Sequence, residues 1–131
     1  MIKERITPEH IQELGNNEIF VFGSNEDGFH KGGAAKYAMD HFGAKWGQGE
    51  GLQGKSFAIP TMYDTIEEVG LAIKRFIEFA RTHSQNRFLV TKIGCGIAGY
   101  TSEQIAPFFK KAIMVKNISL PESFWNVLKN K

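Results

Sequence analysis

Four short strand-like runs constrain this chain more than anything else in it. Ile19-Phe20-Val21-Phe22, Ser56-Phe57-Ala58-Ile59, Phe88 to Ile93 and Asn117 to Leu120 have the length of buried strands and are too short for helices. Each is closed by a breaker: Gly23, Pro60, Gly94 and Pro121. Helical patterns lie between them. The clearest begins at Thr65, where Ile66, Val69, Ile73, Phe76, Ile77 and Ala80 recur at intervals of three and four, opposite Glu67, Lys74, Glu78 and Arg81. Gly33 to Phe42 reads as a second helix, a third starts near Ser102 behind a Thr101 cap, and Pro121 opens a short terminal one. Thr7-Pro8-Glu9 reads as N-cap, first-position proline and first-turn acid of a further short helix that Gly15 ends. Gly43 to Gly54 is expected to hold no regular structure. Strand and helix in alternation predict an α/β fold, a three-layer α/β/α sandwich with a mostly parallel or mixed central sheet. The length of 131 residues makes it a single domain.

Glycine placement then points to a site. Nine of the fourteen glycines lie between Gly23 and Gly54, and three more between Gly94 and Gly99. Both clusters begin where a strand ends, and each is followed by a predicted helix. In parallel sheets ligands bind beyond the carboxyl ends of the strands, so the two loops are expected to wall one cleft. Two string matches fail on context. Gly49 to Ser56 fits the phosphate-loop pattern G-x-x-x-x-G-K-[ST], but no strand precedes it and a strand, not a helix, follows. Gly94-Cys95-Gly96-Ile97-Ala98-Gly99 fits the dinucleotide pattern G-x-G-x-x-G, yet only about one strand–helix unit remains after it, too little for a Rossmann domain. Its glycines still suit pyrophosphate.

Sixteen basic against fourteen acidic residues, dispersed along the chain, give no footprint for nucleic acid. No apolar run is long enough to span a membrane. The single cysteine, Cys95, fits a reducing compartment, and the charged start Met1 to Arg5 lacks the apolar core of a signal peptide; the expectation is cytoplasmic. His10, His41 and His83 have no metal-ligand spacing, so neither metal nor cofactor is expected.

At Phe20 to Asn25, Gly32-Gly33-Ala34-Ala35 and Ile93 to Gly99 the sequence resembles the macrodomain family of ADP-ribose-binding modules. The second loop is most similar to the branch of the terminal ADP-ribose protein glycohydrolase. Gly47 to Thr61 is similar to small bacterial and phage macrodomain-like proteins. The resemblance implies that Gly23, Ser24, Asn25, Asp27, Gly32, Gly33 and Ala34 surround the distal ribose. It implies that Gly94, Cys95, Gly96, Ile97, Ala98, Gly99 and Tyr100 hold the diphosphate through backbone amides, and that Phe124 packs on adenine. The glycohydrolase branch carries an aspartate where this chain has Ala98, and a lysine in the region that here reads Thr61-Met62-Tyr63-Asp64. The Asn-Ala-Asn signature of other macrodomains is also missing. Hydrolysis of an ADP-ribosyl bond would therefore fall to Asn25, Asp27 and His30.

Each of these residues has a plainer reading. Asp27 suits a turn hydrogen bond, and His30 suits a solvated loop. Cys95 suits a small buried residue under a tight loop better than an activated thiolate. Trp46 and Tyr63 pack a glycine-rich loop as readily as they cover a base. The function expected is binding of ADP-ribose or a related ADP-ribosyl metabolite. The alternatives are a phosphate-loop or Rossmann-like nucleotide-binding protein and a non-catalytic interaction module.

Overall fold

A computed structural model describes residues 5–129. The run around Phe20 forms β1 (Glu18–Ser24), and its alternating side chains serve two cores. Ile19 and Val21 face one cluster; Phe20 and Phe22 face the other. The first glycine loop follows, then α1 (Gly33–His41), β2 (Gly51–Gln53), β3 (Ser56–Pro60), α2 (Ile66–Arg81) and β4 (Arg87–Val90). A single turn of α3 (Ser102–Ile105) continues as a 3-10 segment (Ala106–Met114), before β5 (Ile118–Ser119) and α4 (Glu122–Lys129).

The fold is α/β, with a five-stranded mixed sheet and four α-helices among the described residues. The sheet has the order β2-β3-β1-β4-β5. β3, β1, β4 and β5 run parallel, and β2 returns antiparallel against β3. β1 is central: Val21 pairs with Phe57 on one side and Val90 on the other. The larger core joins Val21, Ile59, Phe88 and Val90 to the buried stripe of α2 and to Ile105, Phe109 and Phe124. Thr65 and Glu68 close a reciprocal capping box at the start of α2. The smaller core sets Ala35 and Ala38 of α1, with Phe42, on Phe20, Phe22 and Ala58.

Four expectations about elements need correction. β4 stops at Val90, so Thr91-Lys92-Ile93 is loop and does not continue the strand to Gly94. Residues 7–15 do not form a helix. Thr7 N–H donates to the Leu120 carbonyl (2.9 Å) and Ile6 bridges Leu120 beside β5, so the segment is drawn out along the sheet, and Ile11 and Leu14 lie against the smaller core. The Gly43–Gly54 stretch does contain a strand, β2, joined to β3 through a two-residue turn, Gly54-Lys55, with Gly54 at φ +61°. The third helix tightens to 3-10 geometry after one turn, where Pro107 has no N–H for the next α-helical bond.

Candidate functional site

Parallel strands put their carboxyl ends on one side of the sheet, and a cleft of about 510 Å³ opens there. Gly23 and Ser24 reach it from β1, Thr61 and Met62 from the end of β3, and Thr91 to Gly94 from the end of β4. The start of α1 completes the wall with Gly32, Gly33, Ala34 and Ala35. The two glycine loops therefore meet across one hollow, as their positions after parallel strands imply.

Most of its lining is apolar, and backbone amides are prominent among its polar groups. No side chain caps α1, so the amides of Gly33, Ala34 and Ala35 remain the open first-turn donors of that helix. In the second loop the Cys95, Gly99 and Tyr100 amides donate to the carbonyls of Lys92, Gly96 and Gly94, at 3.2, 2.9 and 2.8 Å. The intervening amides of Gly96, Ile97 and Ala98 have no partner among the described residues, and all three residues line the cleft. Lys31 and Lys92 are the charged residues in the lining, and no carboxylate is among it. Two sets of free amides and two ammonium groups around one hollow favour an anion. Thr61 and Thr91 were not singled out by sequence. Their hydroxyls donate to the Ser24 and Val21 carbonyls at 3.3 and 2.7 Å, which ties the ends of β3 and β4 to β1.

A second hollow, about 620 Å³, shares Thr91 and Lys92 with the first. Thr7, Glu9, Glu122, Ser123 and Asn126 lie along it. The Thr7 hydroxyl is buried without a hydrogen-bond partner among the described residues.

The named catalytic candidates do not converge on the cleft. Asn25 does border it, but both ends of its amide are engaged by one residue: Oδ1 accepts from Phe29 N–H (2.9 Å) and Nδ2 donates to the Phe29 carbonyl (3.0 Å). Asp27 is exposed in the turn closed by Gly28 N–H on the Asn25 carbonyl (3.1 Å) and is not in the lining. His30 points inward. It is 1% exposed, its ring stands edge-on to Phe22, its Nε2 lies 3.3 Å from Gln53 Oε1, and its Nδ1 has no partner among the described residues. It is neither a solvated loop histidine nor a base at the cleft.

Phe124 is also displaced from its expected role. It is fully buried in the larger core against Phe109, with no face for adenine. Cys95, Gly99 and Tyr100 do not line the cleft: Cys95 and Tyr100 pack on the core, and Gly99 is exposed. Burial pushes the Cys95 thiol up, against a smaller opposing effect of a hydrogen bond with Ser102, so it is no activated thiolate.

The middle loop serves as scaffold. Gly28 sits at φ +72° with its α-carbon against the Gly47–Gln48 backbone, and Gly49 presses the carbonyls of Asn25 and Glu26. Ser24 Oγ donates to the Gly49 carbonyl. The Gln53 amide, 2% exposed, accepts from Lys45 N–H (2.8 Å) and donates to the Gln48 and Gly51 carbonyls (both 3.2 Å). Lys55, the lysine of the phosphate-loop string, donates to the Leu14 and Gly15 carbonyls at 3.3 and 2.9 Å. That string is a hairpin with its glycines used for close backbone packing. It is not a strand–loop–helix phosphate cradle.

Comparison with models of protein families, with curated proteins and with solved structures gave no match. The site must be read from its own chemistry. No helix among the described residues is long and apolar enough to cross a membrane.

Proposed function

We propose that this protein binds ADP-ribose or a closely related ADP-ribosyl metabolite in the strand-end cleft, as a macrodomain-like binding module. One observation carries the reading: the free amides of Gly33 to Ala35 and of Gly96 to Ala98 border a single hollow that holds Lys31 and Lys92 and no carboxylate. A diphosphate is the ligand group that suits two such anion cradles side by side. The adjoining hollow would take the adenosine end, where the Thr7 hydroxyl and the carboxylates of Glu9 and Glu122 supply partners for amino and hydroxyl groups. A three-layer arrangement accords with this reading, since α1 packs on one set of β1 side chains and α2 to α4 on the other.

Binding without cleavage is the favoured form. A general acid or base needs hydrogen-bond reach to the reacting group. Asn25 is engaged by Phe29, Asp27 lies outside the cleft and His30 lies beneath it.

Titration calorimetry with ADP-ribose tests the reading. Saturable binding that weakens as salt is raised is expected, because two ammonium groups contribute attraction that ions screen. The absence of any heat at about millimolar ligand, a limit weaker than about −4 kcal/mol of binding free energy, would reject it.

A further inference from the structure

Seven large apolar side chains are exposed among the described residues; three of them line this cleft and a fourth stacks on one of those three. Phe29, Met62 and Ile97 line it; Trp46 stacks on Phe29 with ring centroids 5.2 Å apart and planes 14° apart. Phe29 is 44% exposed and Trp46 54%. Water-facing aromatic pairs cost solvation free energy unless something covers them. Here the pair is also held in place. Asn25 braces the Phe29 backbone through two hydrogen bonds, and Gly47 N–H donates to the Gly28 carbonyl (2.9 Å), which joins the loop of Phe29 to the loop of Trp46. Lys31 Nζ lies over the Phe29 ring, 5.7 Å from its centre.

The cleft thus has different chemistry at its margins. The hollow beyond Lys92 carries the polar groups of Thr7, Glu9, Glu122 and Asn126 beside apolar ones, whereas the side formed by the loop of Phe29 presents an aromatic surface, the stacked Phe29–Trp46 pair. A ligand ending in a bare ribose leaves that surface wet. A ligand with a second planar ring covers it, because every heterocyclic base has a π-face that stacks on indole or phenyl. We propose that the Phe29–Trp46 pair is a stacking platform for a second base, and that the ligand class of this cleft is a dinucleotide, two heterocyclic bases joined through a diphosphate. The inference rests on the diphosphate reading of the cleft and adds the identity of what lies beyond the distal ribose.

The test compares NAD with ADP-ribose on the full chain, which differ by the nicotinamide ring. The sequence has two tryptophans, and Trp125 is 2% exposed in the core, so ligand-dependent change in emission reports Trp46. NAD is expected to bind about tenfold more tightly than ADP-ribose and to quench that emission, a stacking effect of the usual size for one base. Trp46→Ala should bring NAD down to the affinity of ADP-ribose and leave ADP-ribose within about twofold, while Trp46→Phe keeps most of the preference. Phe29→Ala gives a second, independent loss of the NAD preference. Equal affinity for the two ligands with unchanged emission overturns the platform and leaves the diphosphate site standing. Equal loss of both ligands in Trp46→Ala also overturns it, by placing adenine there. Failure of both ligands to bind the native chain removes the diphosphate reading itself.

Discussion

Alanine at Gly49 tests the interlock that positions the ligand loop. An ideal Cβ there would lie 2.7 Å from the Glu26 carbonyl carbon, with the Asn25 and Glu26 oxygens nearer still. Carbon atoms settle at about 3.5–4.0 Å, so the Asn25–Glu26 peptides must retreat by roughly 0.8 Å or more. The obstruction is backbone, with no flexible side-chain tip to swing aside. Overpacking of this kind costs about 1–3 kcal/mol, and retreat also stretches the Ser24 hydroxyl bond to the Gly49 carbonyl. For a domain of this size that is a fall in Tm of about 3–15 °C. The urea midpoint falls by about 1 M if the slope is near 2 kcal/mol per molar. Gly96→Ala is the matched control: nothing lies within 4 Å of a Cβ there and no positive φ is involved. It should stay within about 0.5 kcal/mol of the native chain. Because the Asn25 amide holds both backbone groups of Phe29, Gly49→Ala should also weaken ligand binding under conditions where it remains folded. Equal urea midpoints for the two variants would show that the loops can separate freely, and the scaffold role of the middle loop would fail with them.

Three further outcomes are expected. Gly96→Leu places a large side chain among the free amides of the second loop, so binding of ADP-ribose should be lost while the melting temperature holds, since the position is open; retained affinity would reject the diphosphate role of that loop. Phe124→Ala should cost about 3–5 kcal/mol by opening a cavity against Phe109, and a small effect on unfolding together with a large one on ligand affinity would return Phe124 to the site. Burial raises the Cys95 pKa, so at a given pH less of it is thiolate than of a free thiol, and alkylation should be slow at pH 8 and speed up only at higher pH. Ser102→Ala removes the hydrogen bond that opposes the rise and should slow it further; alkylation of the native chain at the rate of a free thiol would contradict the buried placement.

Where local signals and tertiary packing agree, the sequence is a good guide. The Thr65 and Thr101 caps and the stripe of α2 are features of neighbouring residues, and the fold keeps them; the strands lie where expected, but β1 and β3 run through Gly23 and Pro60 and β4 stops at Val90. Residues 7–15 fail as a helix because the signal is three residues long, and the Leu120 carbonyl, more than a hundred positions away, takes the Thr7 amide. β2 escaped because three residues carry little pattern, although the Gly54-Lys55 pair between Gln53 and Ser56 is a legible hairpin turn. At the site, the glycine loops are legible because glycine after a strand has a local cause. Lys31, Lys92, Thr61 and Thr91 are walls only once strand order is known. His30 and Phe124 were misplaced for a related reason: which way a side chain faces depends on the partner, Gln53 or Phe109, that the sequence does not place beside it.

The central position of β1 also has a consequence for synthesis. Its later partner β4 comes about 70 residues on, as the bond from Thr91 to Val21 spans 70 positions. At about 5–20 residues per second the ribosome needs roughly 4–14 s to deliver that partner. Until β3 is made both edges of the uncharged, strand-forming Ile19-Phe20-Val21-Phe22 are unpaired, and from then until β4 follows one still is. Nascent chains paused before Phe88 should therefore be the ones that recruit chaperones or aggregate, and recoding that speeds translation between Ser56 and Val90 should raise soluble yield without altering a single side chain.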